Sequence, residues 1–265
     1  MATGIYLALR LQAFTRLSQD DLAAIDQLAK RGLRDIGARR DLLQEGDPPR
    51  VVNLILDGWA CRYKTLPDGR RQIVGLFLPG DLCDMNVYLL KQMDHNIGAI
   101  TALRVAEITR EDFERLLARH PRLAEALFWN ELVTVAIQRE WTLNLGQRSA
   151  YERIAHLLCE TFLRLRTVGL TSDSMCPFPL TQLDIADASG LTAVHVNRTL
   201  QDLRRNELIV LEHKHLTIPD IKRLKEVAMF NPNYLHLEHE GRHLDARTDS
   251  SPRRNSGGDL IEVQV

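Results

Sequence analysis

No stretch of the 265-residue chain holds the about 18 consecutive apolar residues that a membrane-spanning helix requires, so no such helix is expected. The opening residues, MATGIYLALRLQAF, carry Arg10 inside their apolar part and lack a basic leading region, so they do not have the pattern of a signal peptide. Cysteine is sparse. Cys61, Cys83, Cys159 and Cys176 are far apart, with no C-x-x-C pair and no histidine at zinc spacing. This argues against a structural metal site and predicts reduced, packed thiols in a cytoplasmic protein. Enzyme signatures are missing too: there is no nucleophile elbow, Walker loop, dinucleotide fingerprint or HExxH. The carboxylate pairs Asp20-Asp21 and Glu111-Asp112 fit helix starts, where negative charge suits the dipole, and no catalytic residue is expected. Neither sign of charge is in excess, the net charge being −1, so any polyanion-binding face must be local.

What the chain does have is concentrated in residues 180–206. Thr181, with Asp184 three residues on, reads as a helix N-cap. Leu183, Ile185 and Ala186 are expected to form the inner surface of that helix, and Gly190 to supply the tight turn after it. Thr192 reads as a second N-cap. Val196, Leu200 and Leu203 follow at i, i+4 and i+7, one buried helical face. The opposite face holds His195, Asn197, Arg198, Gln201, Arg204 and Arg205, as a helix that reads the major groove requires. Two short β-prone runs around Glu212-His213-Lys214 predict a wing directly after it. The same periodicity also fits an ordinary packing pair of helices.

Upstream, Ser18 is expected to cap the first helix, with Leu22, Ile25 and Leu28 inward. Short β-prone runs at 51–56, 59–64, 72–78, 97–102 and 105–108, with Pro67-Asp68-Gly69 as a hairpin turn, predict a rolled antiparallel β domain. From Pro121 a long helix runs to about Leu145, where Leu127, Asn130, Thr134, Ile137, Trp141 and Asn144 recur at spacings of three and four. An alternative stripe is Ala126, Asn130, Val133, Ile137 and Glu140. Either could pair the helix with its copy, Asn130 fixing the register; equally, the helix could lie on its own β-roll. Residues 145–150 read as a hinge, 151–165 as the next helix, 168–179 as a polar loop and 220–229 as a last helix.

Gly190-Leu191-Thr192, the run His195-Val196-Asn197-Arg198-Thr199-Leu200, Leu203-Arg204-Arg205 and Leu208-Ile209 resemble the bacterial Crp–Fnr family of transcription regulators, over residues 10–235. The resemblance implies an α+β fold: a cyclic-nucleotide-binding-like, jelly-roll-like β-roll (1–120), a dimerisation helix and hinge (121–147), and a winged helix-turn-helix (148–235). The polar remainder, 236–265, is expected to be disordered, and His236, His239 and His243 to be solvated rather than metal-bound. The family's role implies a homodimer on palindromic double-stranded DNA, with helix 192–205 in the major groove and RNA polymerase as a further partner. DNA contacts are assigned to Thr181, Thr192, Val194, His195, Asn197, Arg198, Gln201, Arg204 and Lys214. Val194 stands where the family often has Glu, so its contact must be apolar.

Two family cofactors are not expected. Members that bind cyclic AMP use a Gly-Glu pair and an arginine on the cyclic phosphate. Here Gly80-Asp81 is the candidate pocket pair, and residues 91–96 contain no arginine but do contain Asp94; Lys91 or His95 would have to compensate. The iron–sulfur members group their cysteines near the N-terminus, and none precedes Cys61. The remaining alternative is a ligand-binding module that acts through protein contacts, which would not need a winged helix.

Overall fold

The computed structural model describes residues 3–85 and 87–246. Two helices come first, α1 (Ile5–Gln12) and α2 (Gln19–Ala29). Ser18 therefore caps the second helix, not the first: its hydroxyl accepts from the Asp21 N–H while Asp21 reaches back to the Ser18 N–H. Helix α1 starts at Gly4 without a side-chain cap, so it left no cap signature in the sequence.

Eight strands follow: β1 (Leu33–Ile36), β2 (Asp41–Leu43), β3 (Val51–Asp57), β4 (Ala60–Thr65), β5 (Arg71–Phe77), β6 (Leu82–Cys83), β7 (Asn96–Ala99) and β8 (Leu103–Thr109). They form two antiparallel four-stranded sheets, in the orders β1-β8-β3-β6 and β2-β7-β4-β5. Strands β4 and β5 make the hairpin predicted at Pro67-Asp68-Gly69, where Gly69 has φ +86°. Inward side chains such as Ile55, Ile97 and Val105 fill the space between the sheets.

Helices α3 (Arg110–Arg119) and α4 (Pro121–Gln147) leave the roll. Thr109 caps α3, with Glu111 and Asp112 in its first turn, and Asp20 and Asp21 lie likewise in the first turn of α2. Pro121 opens α4, where a missing N–H costs nothing. Arg148 is extended (φ −80°, ψ 142°) and breaks the helix, and Ser149 caps α5 (Ala150–Thr167).

The C-terminal domain adds β9 (Met175–Pro177), α6 (Gln182–Ser189), α7 (Ala193–Arg205), β10 (Val210–Glu212), β11 (His215–Thr217) and α8 (Ile221–Val227). Residues 168–179 are more than a polar loop: β9 pairs with β11 and makes the wing three-stranded. The chain then wraps back over α1. Tyr234 is buried, its hydroxyl donating to Glu160 Oε2 at 2.9 Å. The Gly241 N–H donates to the Phe14 carbonyl, and Asp245 accepts from the Arg16 N–H and meets His239. Residues 236–246 are thus structured, against the expectation of a disordered tail, because short polar side chains find partners at the end of α1. Residues 247–265 lie outside the described residues.

Candidate nucleic-acid interface

Two capped helices and one left-handed residue build the centre of this domain. Thr181 and Asp184 form a reciprocal capping box on α6. Gly190 ends α6 at φ +63°, ψ 37°, a conformation that glycine adopts without cost, and the Leu191 N–H returns to the Ala186 carbonyl. Thr192 then accepts from the His195 N–H to start α7. Val196, Leu200 and Leu203 are buried as the spacing predicts. Leu183 does not face inward; it is exposed, and the inner surface of α6 is Ile185, Ala186 and Ala188.

The opposite face of α7 is open to solvent. Thr192, Val194, His195, Arg198, Gln201 and Arg204 are exposed and Asn197 is half-buried. Gln201 donates to Asn197 Oδ1 at 3.0 Å, which aligns these two amides one turn apart. Arg204 donates to the Leu211 carbonyl at 3.2 Å and so ties α7 to the wing. At the wing tip, Glu212 pairs with His215 across a two-residue turn in which His213 (φ +48°) and Lys214 (φ +62°) are both left-handed. That turn pushes the exposed Lys214 ammonium outward. Thr181 is exposed, but its hydroxyl is engaged with Asp184.

The β-roll holds this domain directly. Arg39 Nη1 and Nη2 bind Asp184 Oδ1 and Oδ2 at 2.6 and 2.9 Å. Gln72 donates to the Asp187 carbonyl at 2.6 Å, and Trp59 meets the Phe178 ring edge-on. Beneath them, Asp81 joins Arg10 and Arg164, each at 2.8 Å, and also accepts from the Leu78 N–H. Gly80 (φ +90°) lies so close to the Tyr6 carbonyl that a Cβ would sit 2.7 Å from it. Asp81 thus ties α1 and, through Arg164, the DNA-binding domain to the strands, and Gly80 packs against α1; Asp81 also lines a cavity of about 30 Å³ with Arg62 and Arg164.

A larger, open cavity of the roll lies against α4. It measures about 500 Å³ and is lined by Arg62, Asp84, Asp94, His95 and Glu131 among others. Arg62 is ion-paired with Asp84. His95 lies between Asp84 (2.8 Å) and Asp94 (2.6 Å), with a carboxylate on each ring nitrogen. Lys91 is exposed. Burial, with Asp84 adding to it, pushes the Glu131 carboxyl up to about 7.

The stripe expected to pair α4 with its copy is turned the other way. Leu127, Asn130, Ile137, Trp141 and Asn144 are buried within the protomer and Thr134 is half-buried. Trp141 donates to Glu160 of α5. One residue along, a turn of about 100°, the helix exposes Phe128 (65 %), Leu132 (64 %) and Val135 (47 %), followed by Arg139 and Thr142. This stripe has the same spacing of four and three, so its signal was in the sequence; apolar residues on both faces hid which one is free.

A β-roll joined by a long helix to a winged helix-turn-helix with a solvent-open face on its second helix is the architecture of a DNA-binding transcription regulator. The cyclic nucleotide-binding domain family matches residues 33–120 and the Crp-like helix-turn-helix domain family residues 152–227. The transcriptional activator protein FnrL of Cereibacter sphaeroides is 32% identical over 80% of this chain and 86% of its own length. The nitrogen fixation regulation protein FixK of Bradyrhizobium diazoefficiens is 36% identical over 66% and 72%. The solved structure of FixK2 from Bradyrhizobium japonicum superposes with a TM-score of 0.66 at 25% identity, covering 74% of this chain and 96% of that one. The chain belongs to the Crp/Fnr family of transcription regulators. Among the described residues no helix is long and apolar enough to cross a membrane.

Proposed function

We propose that this regulator works in the cytoplasm as a homodimer, without catalysis, and that it reads a palindromic operator. The observation that carries this is the exposed stripe Phe128, Leu132 and Val135 on the same helix whose other face holds the protomer together. Large apolar side chains in a row at coiled-coil spacing lose water contact when the helix meets its copy. Two copies related by a two-fold axis bring their α7 helices to successive major grooves, about 34 Å apart. Arg198 serves as the main base reader, Asn197 and Gln201 as amide readers, Val194 as an apolar contact, and Lys214 as a phosphate contact from the wing. RNA polymerase is the further partner this reading implies. Sedimentation of the full chain, alone and with an operator selected from random duplexes, tests it. A dimer bound to one inverted repeat is expected; a monomer bound to a single half-site overturns it.

We further propose that the roll takes neither cyclic AMP nor an iron–sulfur cluster. A cyclic phosphate brings a full negative charge that a fixed cation must match. The cavity's Arg62 is already spent on Asp84, and Asp94 and Glu131 add further carboxyls. The four cysteines are buried, and burial pushes the Cys61 thiol up to about 11 and the Cys159 and Cys176 thiols up to about 12, against the thiolate that a cluster needs. Calorimetry with cyclic AMP and cyclic GMP is expected to show no heat of binding. Micromolar affinity with a matching gain in DNA binding would reverse the first part, and a visible iron–sulfur absorbance in anaerobically purified protein the second.

A further inference from the structure

Buried polar groups in folded proteins are paired, and each exception needs a physical reason. Three exceptions converge here. Nε of Arg10, Nε1 of Trp129 and Nε of Arg164 are buried with no hydrogen-bond partner. They come from α1, α4 and α5, yet all three residues line one cavity of about 20 Å³, together with Asn130, Val133 and Leu235. The side chains of Arg10 and Arg164 are 9 % and 8 % exposed.

The guanidiniums are anchored from the far side. Arg164 Nη2 donates to Asp81 Oδ2 at 2.8 Å, and Arg10 Nη2 lies 2.8 Å from Asp81 Oδ1, an ion contact off the line of a hydrogen bond. Arg164 Nη1 reaches Glu160 Oε1 at 3.4 Å. Burial holds the Glu160 carboxyl above its ordinary range, although Arg164, Trp141 and Tyr234 pull the other way. Two guanidiniums therefore share the carboxyl groups of Asp81 and Glu160.

We propose that the cavity binds one monovalent anion of halide size, such as chloride, which accepts from the N–H groups of Arg10, Trp129 and Arg164. The three unpaired groups are donors and none is an acceptor. A water molecule accepts about two hydrogen bonds, so it leaves one of the three donors unpaired even where Asn130 and Thr167, which also line the cavity, take its protons. An anion accepts all three and lies beside two guanidiniums. A space this small favours a single small ion over phosphate or sulfate. Because the walls come from the N-terminal helix, the long helix, the first helix of the DNA-binding domain and the C-terminal segment, occupancy stabilises the domains in their docked arrangement.

The test uses the full chain. Thermal unfolding is followed in sodium bromide and in sodium gluconate at equal ionic strength, and crystals grown in bromide are read by anomalous scattering. The expected result is a melting temperature that rises with bromide and saturates, and one anomalous peak within hydrogen-bond distance of Arg10, Trp129 and Arg164. Trp129→Phe keeps an aromatic ring beside Phe14 but has no N–H, and should weaken the apparent bromide affinity about tenfold or more. Should that variant not fold, Arg10→Lys, which keeps the charge and loses Nε, is expected to do the same. Identical melting in the two salts, a cavity without an anomalous peak, or a folded variant that responds as wild type does would each overturn the proposal.

Discussion

Asp184 holds two structures at once: its carboxylate caps the first helix of the helix-turn-helix through Thr181 and receives both terminal nitrogens of Arg39 from the β-roll. Burial alone would raise the Asp184 carboxyl; the hydrogen bonds from Arg39 and Thr181 outweigh it and hold the group below its usual range. Arg39→Ala is expected to leave the capping box intact and to loosen the domain contact. Arg39 is half-exposed, so solvent screening limits the loss of stability to about 1 kcal/mol. Hydrogen exchange checks the direction: amides of residues 182–189 and 71–77 should exchange faster together, those of 51–57 unchanged. The sign with pH is set by a depressed carboxylate. Its stabilisation is present above the ordinary value of 3.8 and fades as pH falls through the lower folded value, and Arg39→Ala should move that fading upward.

On the recognition helix, Arg198 is exposed and its removal leaves the buried face of α7 untouched. Arg198→Ala is expected to keep the wild-type circular dichroism and to lose about 1–3 kcal/mol of discrimination at one base pair of each half-site. Lys214→Ala should behave differently. A phosphate contact carries no sequence information, so binding should weaken equally on all sequences and the salt slope should fall by about one per half-site. Titrations against operator and scrambled duplex at several salt concentrations separate the two. Equal losses on both duplexes for Arg198→Ala would remove it from the base-reading set.

The two faces of α4 give opposite expectations for the same chemical change. Leu132→Glu places a charge on the exposed stripe and should yield a folded monomer with much weaker operator binding. Ile137→Glu places it among buried residues of the protomer and should cost several kcal/mol, lowering the melting temperature whatever the association state. Sedimentation and melting of both variants decide. A dimeric Leu132→Glu would mean that the exposed stripe is not the pairing surface.

The winged helix was legible because local rules and tertiary structure agree there: Thr181, Gly190 and Thr192 each meet a backbone requirement that only a few residue types satisfy. The longer strands of the roll were legible by their β-prone composition. Strands β1, β2 and β6 were not, since the first presents three exposed residues of four and the others are three and two residues long. The place of Asp81 could not be read either, because its partners Arg10 and Arg164 lie 71 and 83 positions away and no local pattern links them. Sequence periodicity found α4 but not its orientation. Burial of Trp141 against Glu160 decides that, and it is a contact between two helices.

His156 supplies the last prediction. It is fully buried in α5, beside the Phe230 and Tyr234 rings, with Asn144 at 3.0 Å from Nδ1. Burial first, and Arg148 second, push its value down to about 3. Glu140 Oε1 lies 3.2 Å from Nε2, which would favour the charged ring, but Arg148 takes the same oxygen at 2.8 Å and neutralises that pull. A base held below its ordinary value of 6.5 contributes stability that is present above that pH and is lost as pH falls toward 3. The loss is on the order of 2 kcal/mol between pH 6.5 and 5, at about 1.4 kcal/mol per unit. His156→Phe removes the titrating ring and keeps an aromatic there. Its stability measured by urea unfolding should fall less than the wild type's over that window, while the two curves run parallel above pH 7. Parallel curves throughout would mean that His156 takes up its proton in the folded protein as readily as in the unfolded chain.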